Sequence, residues 1–216
     1  PSLSLPDRYL PFSSIGKSFA ENNICEMGYA VSKIYARSII EEFSIRFDEN
    51  IHCLEDLLFM YQYLLHCDYL VLNHMQNYVY VIHSFSLSHR IHSFESEYCC
   101  FVKYQQLLAE MMKVWKIPAG DMVVTVNSML VPFRRALKSD YQPDRTIPRE
   151  MRVKHLKRMI SESRDVFLKY YHPVFKTDKL GKVLLGFNCY ILYDFYIRLL
   201  FRLNIGPVFY GPKHMY

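Results

Sequence analysis

Three long helical patterns dominate the sequence after residue 90, over 95–116, 121–138 and 148–170. Their apolar residues recur at the three- and four-residue spacing of a helix with one buried face. Pro148 fits the first turn of the last pattern, where a missing N–H costs no helical hydrogen bond. We therefore predict a helical C-terminal region over 91–216.

The first 90 residues have a different pattern. An irregular lead-in is expected over 1–24, then a helix over 28–40 and a second helix from about Glu55 to His66. Two short strands are predicted over 69–72 and 78–82, and the second run is rich in β-branched and aromatic residues. The fold class predicted for the whole chain is α+β and mostly helical, with a boundary between 1–90 and 91–216.

Composition indicates a folded chain and limits the classes of molecule that it is expected to bind. Hydrophobic residues make up 51% and charged residues 22% of the 216 positions, and the net charge is +5. This mild basicity favours lipid headgroups and diphosphates but lacks the clustered pattern of a nucleic-acid-binding protein, so we expect no nucleic acid partner. The six cysteines form no C-x-x-C pair, which argues against a zinc site. Most have apolar neighbours in the sequence, which is typical of reduced cytosolic proteins.

The apolar stretch 183–203 is long enough to be considered as a membrane span. Asp194, Arg198 and Arg202 argue against spanning, because their i, i+4, i+8 spacing gives a helix a narrow charged stripe. Such a helix either packs into a core or lies in a membrane interface. We expect this helix to pack into a core. Lys179 and Lys182 precede the stretch and favour the alternative, a helix in the membrane interface.

Glu55 and Asp56 stand at the predicted start of the second helix. Exposed amides and the helix dipole stabilise ionised carboxylates there, and a carboxylate held rigidly at such a position is suited to be a general base. Acidic residues in a first turn are also ordinary helix capping. The pair alone does not decide between the two.

Four segments in order resemble the motifs of bacterial family 2 glycosyltransferases of GT-A type. The run 28–40, Gly-Tyr-Ala-Val-Ser-Lys-Ile-Tyr-Ala-Arg-Ser-Ile-Ile, is similar to their Lys-Leu-Tyr-Arg-Arg-type helix. The run 47–51 resembles Phe-x-Glu-x-Ile, and 55–59 resembles Glu-Asp-x-x-Phe. Tyr-Val-Tyr at 78–80 with the serines of 84–88 resembles their Tyr-x-Tyr…Ser-x-Ser tail.

The resemblance implies the acceptor-side, C-terminal half of a GT-A fold followed by a helical region. In that family the Asp of the Glu-Asp motif takes the proton of the acceptor hydroxyl, which makes Asp56 the base and Glu55 its neighbour. Lys33 and Arg37 would touch a diphosphate or a lipid-phosphate acceptor, although their charge pattern favours a solvated helix face. Tyr78 and Tyr80 would line a sugar pocket, or pack across strands.

The resemblance also implies a divalent metal, Mg²⁺ or Mn²⁺, and a nucleotide-sugar donor in the full enzyme. The Asp-x-Asp motif that holds the metal does not occur in this chain, so we expect a fragment that is inactive alone. The motif Gln-x-x-Arg-Trp of processive members is missing too, which favours transfer of one sugar. The acceptor would be a glycan or lipid-linked molecule of cell-surface polysaccharide synthesis, handled in the cytoplasm or at the inner face of the membrane.

Two other functions stay open at this stage. The chain could be a non-catalytic helical interaction module, or a peripheral membrane-surface module built on 183–203. An uncovered apolar face would also suit a homo-oligomer. His83, His89 and His92 lack acidic partners at helical spacing, so no metal site is expected in this chain.

Overall fold

The computed structural model describes residues 7–21, 30–75, 78, 79, 81, 90–117, 130–141, 146–170, 172, 173, 176–203 and 205. These residues are mostly helical and include one two-stranded antiparallel sheet, which agrees with the predicted α+β class. The strands are β1 Arg8–Pro11 and β2 Tyr69–Leu72. The helices are α1 Phe12–Glu21, α2 Arg37–Glu42, α3 Glu55–Leu64, α4 Phe94–Trp115, α5 Leu130–Asp140, α6 Arg149–Tyr170, α7 Lys176–Gly186 and α8 Tyr190–Arg202.

The chain divides into two compact units. The first contains Pro1–Arg90 and Lys103–Thr125, and the second contains Ile91–Val102 and Val126–Tyr216. The functional division predicted from the sequence, an acceptor-side domain over 1–90 and a helical region over 91–216, stays a prediction.

The lead-in is not irregular as predicted, because it contains β1 and α1. Arg8 pairs with Leu72 and Pro11 with Tyr69, so the partner of β2 is β1. Residues 78, 79 and 81 of the second predicted strand are not in a strand, and 80 and 82 lie outside the described residues. Beyond the sheet's last pair, the carboxylate of Asp7 accepts a 3.0 Å hydrogen bond from the backbone N–H of His74.

The helix predicted over 28–40 is also wrong over most of its described length. Residues 30–36 are irregular, and α2 begins only at Arg37. Ser32 has a left-handed φ of 60°, which a continuous right-handed helix does not allow. The N–H of Ala36 donates instead to the Tyr63 hydroxyl at 2.7 Å. Lys33 and Arg37 therefore do not share a helix face.

Aromatic side chains fill the centre of the first unit. Phe19 of α1 is fully buried and lies 5.7 Å from the Tyr61 ring and 5.2 Å from the Trp115 ring. The hydroxyls of Tyr61 and Tyr104 are 3.0 Å apart and satisfy each other. A Cβ at Gly16 would lie 2.6 Å from Trp115 Cβ, so only glycine permits this approach of α1.

The second unit is a helical assembly around one buried cluster. Helix α6 packs against α5, α7 and α8, and α7 packs against α8. The cluster draws on α4 to α8, with Phe101, Leu137, Leu156, Ile160, Leu185 and Ile197 among its most buried members. The patterns 95–116 and 148–170 correspond to α4 and α6. Residues 130–138 of the predicted helix 121–138 lie in α5, and residues 121–129 lie outside the described residues.

The apolar tail forms two helices rather than one. Helix α7 ends at Gly186 and α8 starts at Tyr190. Asn188 between them has a left-handed φ of 58°, and the N–H of Cys189 turns back to the Leu184 carbonyl at 2.8 Å. No helix in the described part of the chain is both long and apolar enough to cross a membrane.

Candidate functional site

Asp56 lies in the first turn of α3, where the sequence predicts it. The residue before the helix, Leu54, has a left-handed φ of 66° and provides no side-chain cap. The Asp56 carboxylate accepts a 2.8 Å hydrogen bond from the N–H of Leu57. A bulky residue in the left-handed region is a strained position of the kind found at functional sites.

Burial raises the pKa of Asp56, and it outweighs the other influences on this half-buried group. Hydrogen bonds from the N–H groups of Leu57, Asp56 and Ala30 act in the opposite direction, and the charge of Glu55 adds to the rise. The carboxylate is therefore both held in place and more proton-seeking than an exposed aspartate. These are the two properties that a general base needs.

Lys33 is electrostatically linked to Asp56. Burial lowers the pKa of Lys33, and the negative charge of Asp56 raises it against that effect. The ammonium group lies 3.5 Å from the Val31 carbonyl, within the irregular segment 30–36. A half-buried cation thus accompanies the half-buried carboxylate.

Aromatic rings line the same part of the first unit. The Tyr35 ring lies 4.8 Å from Tyr63 and 5.4 Å from Phe59, edge to face in both cases. Phe59 also stacks on Phe47 at 4.5 Å, and Phe47 is about half exposed. Phe59 and Tyr63 are buried, so of these rings the exposed Phe47 is the one suited to contact the C–H face of a sugar.

The Tyr35 hydroxyl is buried, and no described residue offers it a hydrogen-bond partner. Burial, followed by the charge of Asp56, raises the pKa of Tyr35 to about 12, so the hydroxyl keeps its proton at neutral pH. A buried hydroxyl without a partner costs about 1–3 kcal/mol. A ligand that offered it an acceptor would recover that cost.

The other predicted site residues lie elsewhere or outside the described part. Arg37 is on the exposed surface of α2, where its Nε donates to the Glu41 carboxylate at 2.7 Å. Tyr78 has a half-exposed ring outside any strand, and Tyr80 is not described. Sequence reasoning assigned no role to the ring of Phe59, although it stands one turn after Asp56 on the same helix.

No group of three or more His, Cys, Asp or Glu side chains within the described residues is arranged to hold a metal ion. The Mg²⁺ or Mn²⁺ ion and the nucleotide sugar that the sequence resemblance implies stay predictions. Comparisons with protein-family models, with curated proteins and with solved structures find no match for this chain.

Proposed function

We propose that the chain is the acceptor-side part of an inverting glycosyltransferase with a GT-A fold, and that Asp56 is its catalytic base. The observation that carries the proposal is a half-buried carboxylate of raised pKa at the start of α3. The order of the four family-like motifs supports it, since Asp56 belongs to one of them and Lys33 to another.

Ordinary capping explains Asp56 less well. A carboxylate that stabilises a helix through the dipole is favoured in its charged form, which lowers its pKa. The pKa of Asp56 is raised instead, because burial outweighs the amides around it. A charge kept where it is disfavoured is typical of sites selected for chemistry.

The proposed reaction needs one proton transfer and one displacement. Asp56 takes the proton of an acceptor hydroxyl while that oxygen forms a bond to the anomeric carbon of the donor sugar. The bond from this carbon to the nucleotide diphosphate breaks on the opposite face, and the diphosphate leaves with the electron pair. The donor site and a metal ion that steadies the diphosphate are supplied by parts of the enzyme outside this chain.

Lys33 and the nearby rings would position the acceptor. The Lys33 ammonium is suited to a phosphate or hydroxyl oxygen, and the charge of Asp56 favours its protonated form. Phe47, which stacks on the buried Phe59 ring, offers its exposed ring surface to a sugar. The Tyr35 hydroxyl would donate to a sugar oxygen that replaces its missing partner.

The test replaces Asp56 by Asn in the longer protein to which this chain is expected to belong. Transfer from a panel of UDP and GDP sugars is followed by the release of nucleotide diphosphate. Loss of a general base should slow transfer about 10²- to 10⁴-fold and leave the donor dissociation constant unchanged. Glu41→Gln, an exposed acid paired with Arg37, is the matched control.

Turnover by Asp56→Asn close to that of Glu41→Gln would rule out Asp56 as the base. If the longer protein transfers no sugar and binds no nucleotide sugar at all, the non-catalytic interaction module becomes the better account.

A further inference from the structure

Helices α7 and α8 form an antiparallel hairpin. The Tyr196 hydroxyl of α8 donates to the Thr177 carbonyl near the start of α7 at 3.0 Å. One turn further on, a Cβ at Gly181 would lie 3.1 Å from the Tyr193 ring, so the helices are in close contact there. The turn over 187–189 joins the two helices.

The hairpin has one buried side and one exposed side. Leu185, Tyr193, Ile197 and Leu200 belong to the buried cluster of the second unit. The opposite side carries exposed apolar residues on both helices and the turn, which we call the outer hairpin face: Leu180, Val183, Phe187, Ile191, Leu192, Phe195, Leu199 and Leu203. Phe187 and Phe195 are 78% and 66% exposed, and exposed apolar residues grouped on one face mark an interaction site.

The exposed charges of the hairpin itself have one sign. Five cations lie on the hairpin: Lys176, Lys179, Lys182, Arg198 and Arg202. Its acidic residues are Asp178 and Asp194, and both are buried in ion pairs with Arg134 at 2.9 Å and Arg152 at 2.7 Å. The exposed surface of the hairpin therefore presents apolar side chains and cations without an acid among them.

This combination selects the chemistry of the partner. Protein interfaces are depleted in lysine at their centres, and their charged groups face opposite charges on the partner. An anionic bilayer offers acyl chains to the apolar residues and headgroup phosphates to the cations. Helices of 11 and 13 residues are about 17 and 20 Å long, too short to cross a hydrocarbon core of about 30 Å. They can lie flat in its interface.

We propose that the outer hairpin face binds the surface of an anionic phospholipid bilayer, with the Phe187 and Phe195 rings inserted below the headgroups. The inference rests on the hairpin alone and holds whether or not the chain transfers sugar. It would bring the chain to membrane-bound molecules.

The first experiment is flotation of the full 216-residue chain with phosphatidylcholine vesicles, with and without phosphatidylserine. We expect flotation with the anionic vesicles and little with the neutral ones, weakening as salt rises. The double variant Phe187→Ser/Phe195→Ser should lose at least about tenfold in partitioning, since two rings no longer leave water. Val79→Ser/Val81→Ser, which removes two exposed apolar side chains of the first unit, should float like the wild type.

The second experiment reverses charge. Arg198→Glu/Arg202→Glu should reduce binding to anionic vesicles at least about 25-fold, because each cation near such a surface contributes roughly a fivefold gain. Lys154→Glu/Lys157→Glu makes the same change in net charge at exposed positions of α6 and should have a much smaller effect. Circular dichroism checks that every variant keeps its helical content.

Three results would overturn the proposal. The wild type could fail to float with anionic vesicles, or the hairpin variants could float as well as their controls. The third is a chain that dimerises in solution, ignores vesicles and becomes monomeric with Phe187→Ser/Phe195→Ser. In that case the outer hairpin face binds a second copy of the chain.

Discussion

Asp56 is expected to reduce the stability of the folded chain while it is ionised. Burial raises its folded pKa above the ordinary value of 3.8. At pH values below 3.8 the group is protonated in both states and costs nothing. As pH rises, the unfolded chain ionises first, so the folded state loses relative stability until the folded pKa is passed.

Asp56→Asn should therefore unfold at a urea midpoint equal to or higher than that of the wild type at neutral pH. The amide removes the charge that burial disfavours. The advantage should shrink as pH falls, because the wild-type carboxyl becomes neutral too. If Asp56 were an ordinary stabilising cap, Asn would instead cost about 0.3–1 kcal/mol at neutral pH. Glu41→Gln serves as the exposed control.

Lys33→Met should raise the pKa of Asp56 further. Lys33 and Asp56 favour each other's charged forms. Removing the cation therefore destabilises the carboxylate and adds to the rise in pKa that burial causes. The measurement is an NMR pH titration of the Asp56 carboxyl carbon, which needs neither donor nor acceptor. Arg37→Met removes a cation that is already paired with Glu41 and should leave the pKa of Asp56 unchanged. Equal shifts in the two variants would contradict the electrostatic link between Lys33 and Asp56.

Around Asp56, the sequence predicts the local element better than it predicts the approach of residues that are distant along the chain. The start of α3 at Glu55 is confirmed, because an acidic first turn before an amphipathic run is a local signal. Lys33 reaches the electrostatic range of Asp56 from an irregular segment, not from the predicted helix. The spacing of residues along a chain does not encode such a non-local approach.

At the scale of elements, periodic patterns in the sequence predict the helices correctly, but strands that pair over long distances along the chain are not predicted. Helices α4 and α6 are confirmed, since a buried stripe over 22 residues is a strong signal. Strand β1 is missed because its four residues include Pro11 and their partner lies some 60 positions away. The break in the apolar tail is missed because one residue, Asn188, turns the chain there, and a single asparagine within a long apolar run is a weak turn signal.

The close contact within the hairpin predicts opposite effects for two glycines of α7. A Cβ at Gly181 would meet the buried Tyr193 ring at 3.1 Å, whereas one at Gly186 would lie 3.6 Å from Leu168 in ordinary contact. Gly181→Ala should cost about 1–3 kcal/mol of unfolding free energy through overpacking. Gly186→Ala should gain about 0.4–1 kcal/mol by restricting the unfolded chain. Urea unfolding of both variants measures this, and a stabilising Gly181→Ala would contradict the close packing of α7 on α8.

At the scale of the whole chain, ion pairs join distant parts of the second unit. Glu97 pairs with Arg135, Asp178 with Arg134, and Asp194 with Arg152. The sequence suggests that Asp194 belongs to a stripe with Arg198 and Arg202. The structure instead buries Asp194 and pairs it with a residue 42 positions earlier, while both arginines are exposed. Only the folded arrangement of helices creates this partner.

Asp194 is the acid whose removal should destabilise the second unit most. Its carboxylate is 2% exposed and accepts bonds from Arg152 at 2.7 and 2.9 Å and from the Tyr141 hydroxyl at 2.8 Å. Asp194→Leu should cost about 3–5 kcal/mol, because the Arg152 charge is left buried without its counter-charge. The exposed pair formed by Glu95 and Arg158 gives the control, and Glu95→Leu should cost less than about 1 kcal/mol.

The same pair predicts a partial rescue. Adding Arg152→Met and Tyr141→Phe to Asp194→Leu removes the stranded charge and the stranded hydroxyl together, and apolar side chains of similar volume take their place. The triple variant should therefore be more stable than Asp194→Leu alone, although it carries two further substitutions in a buried region. Urea unfolding followed by circular dichroism compares the two. Additive losses in the triple variant would show that Asp194 acts through packing alone rather than through the charge that it neutralises.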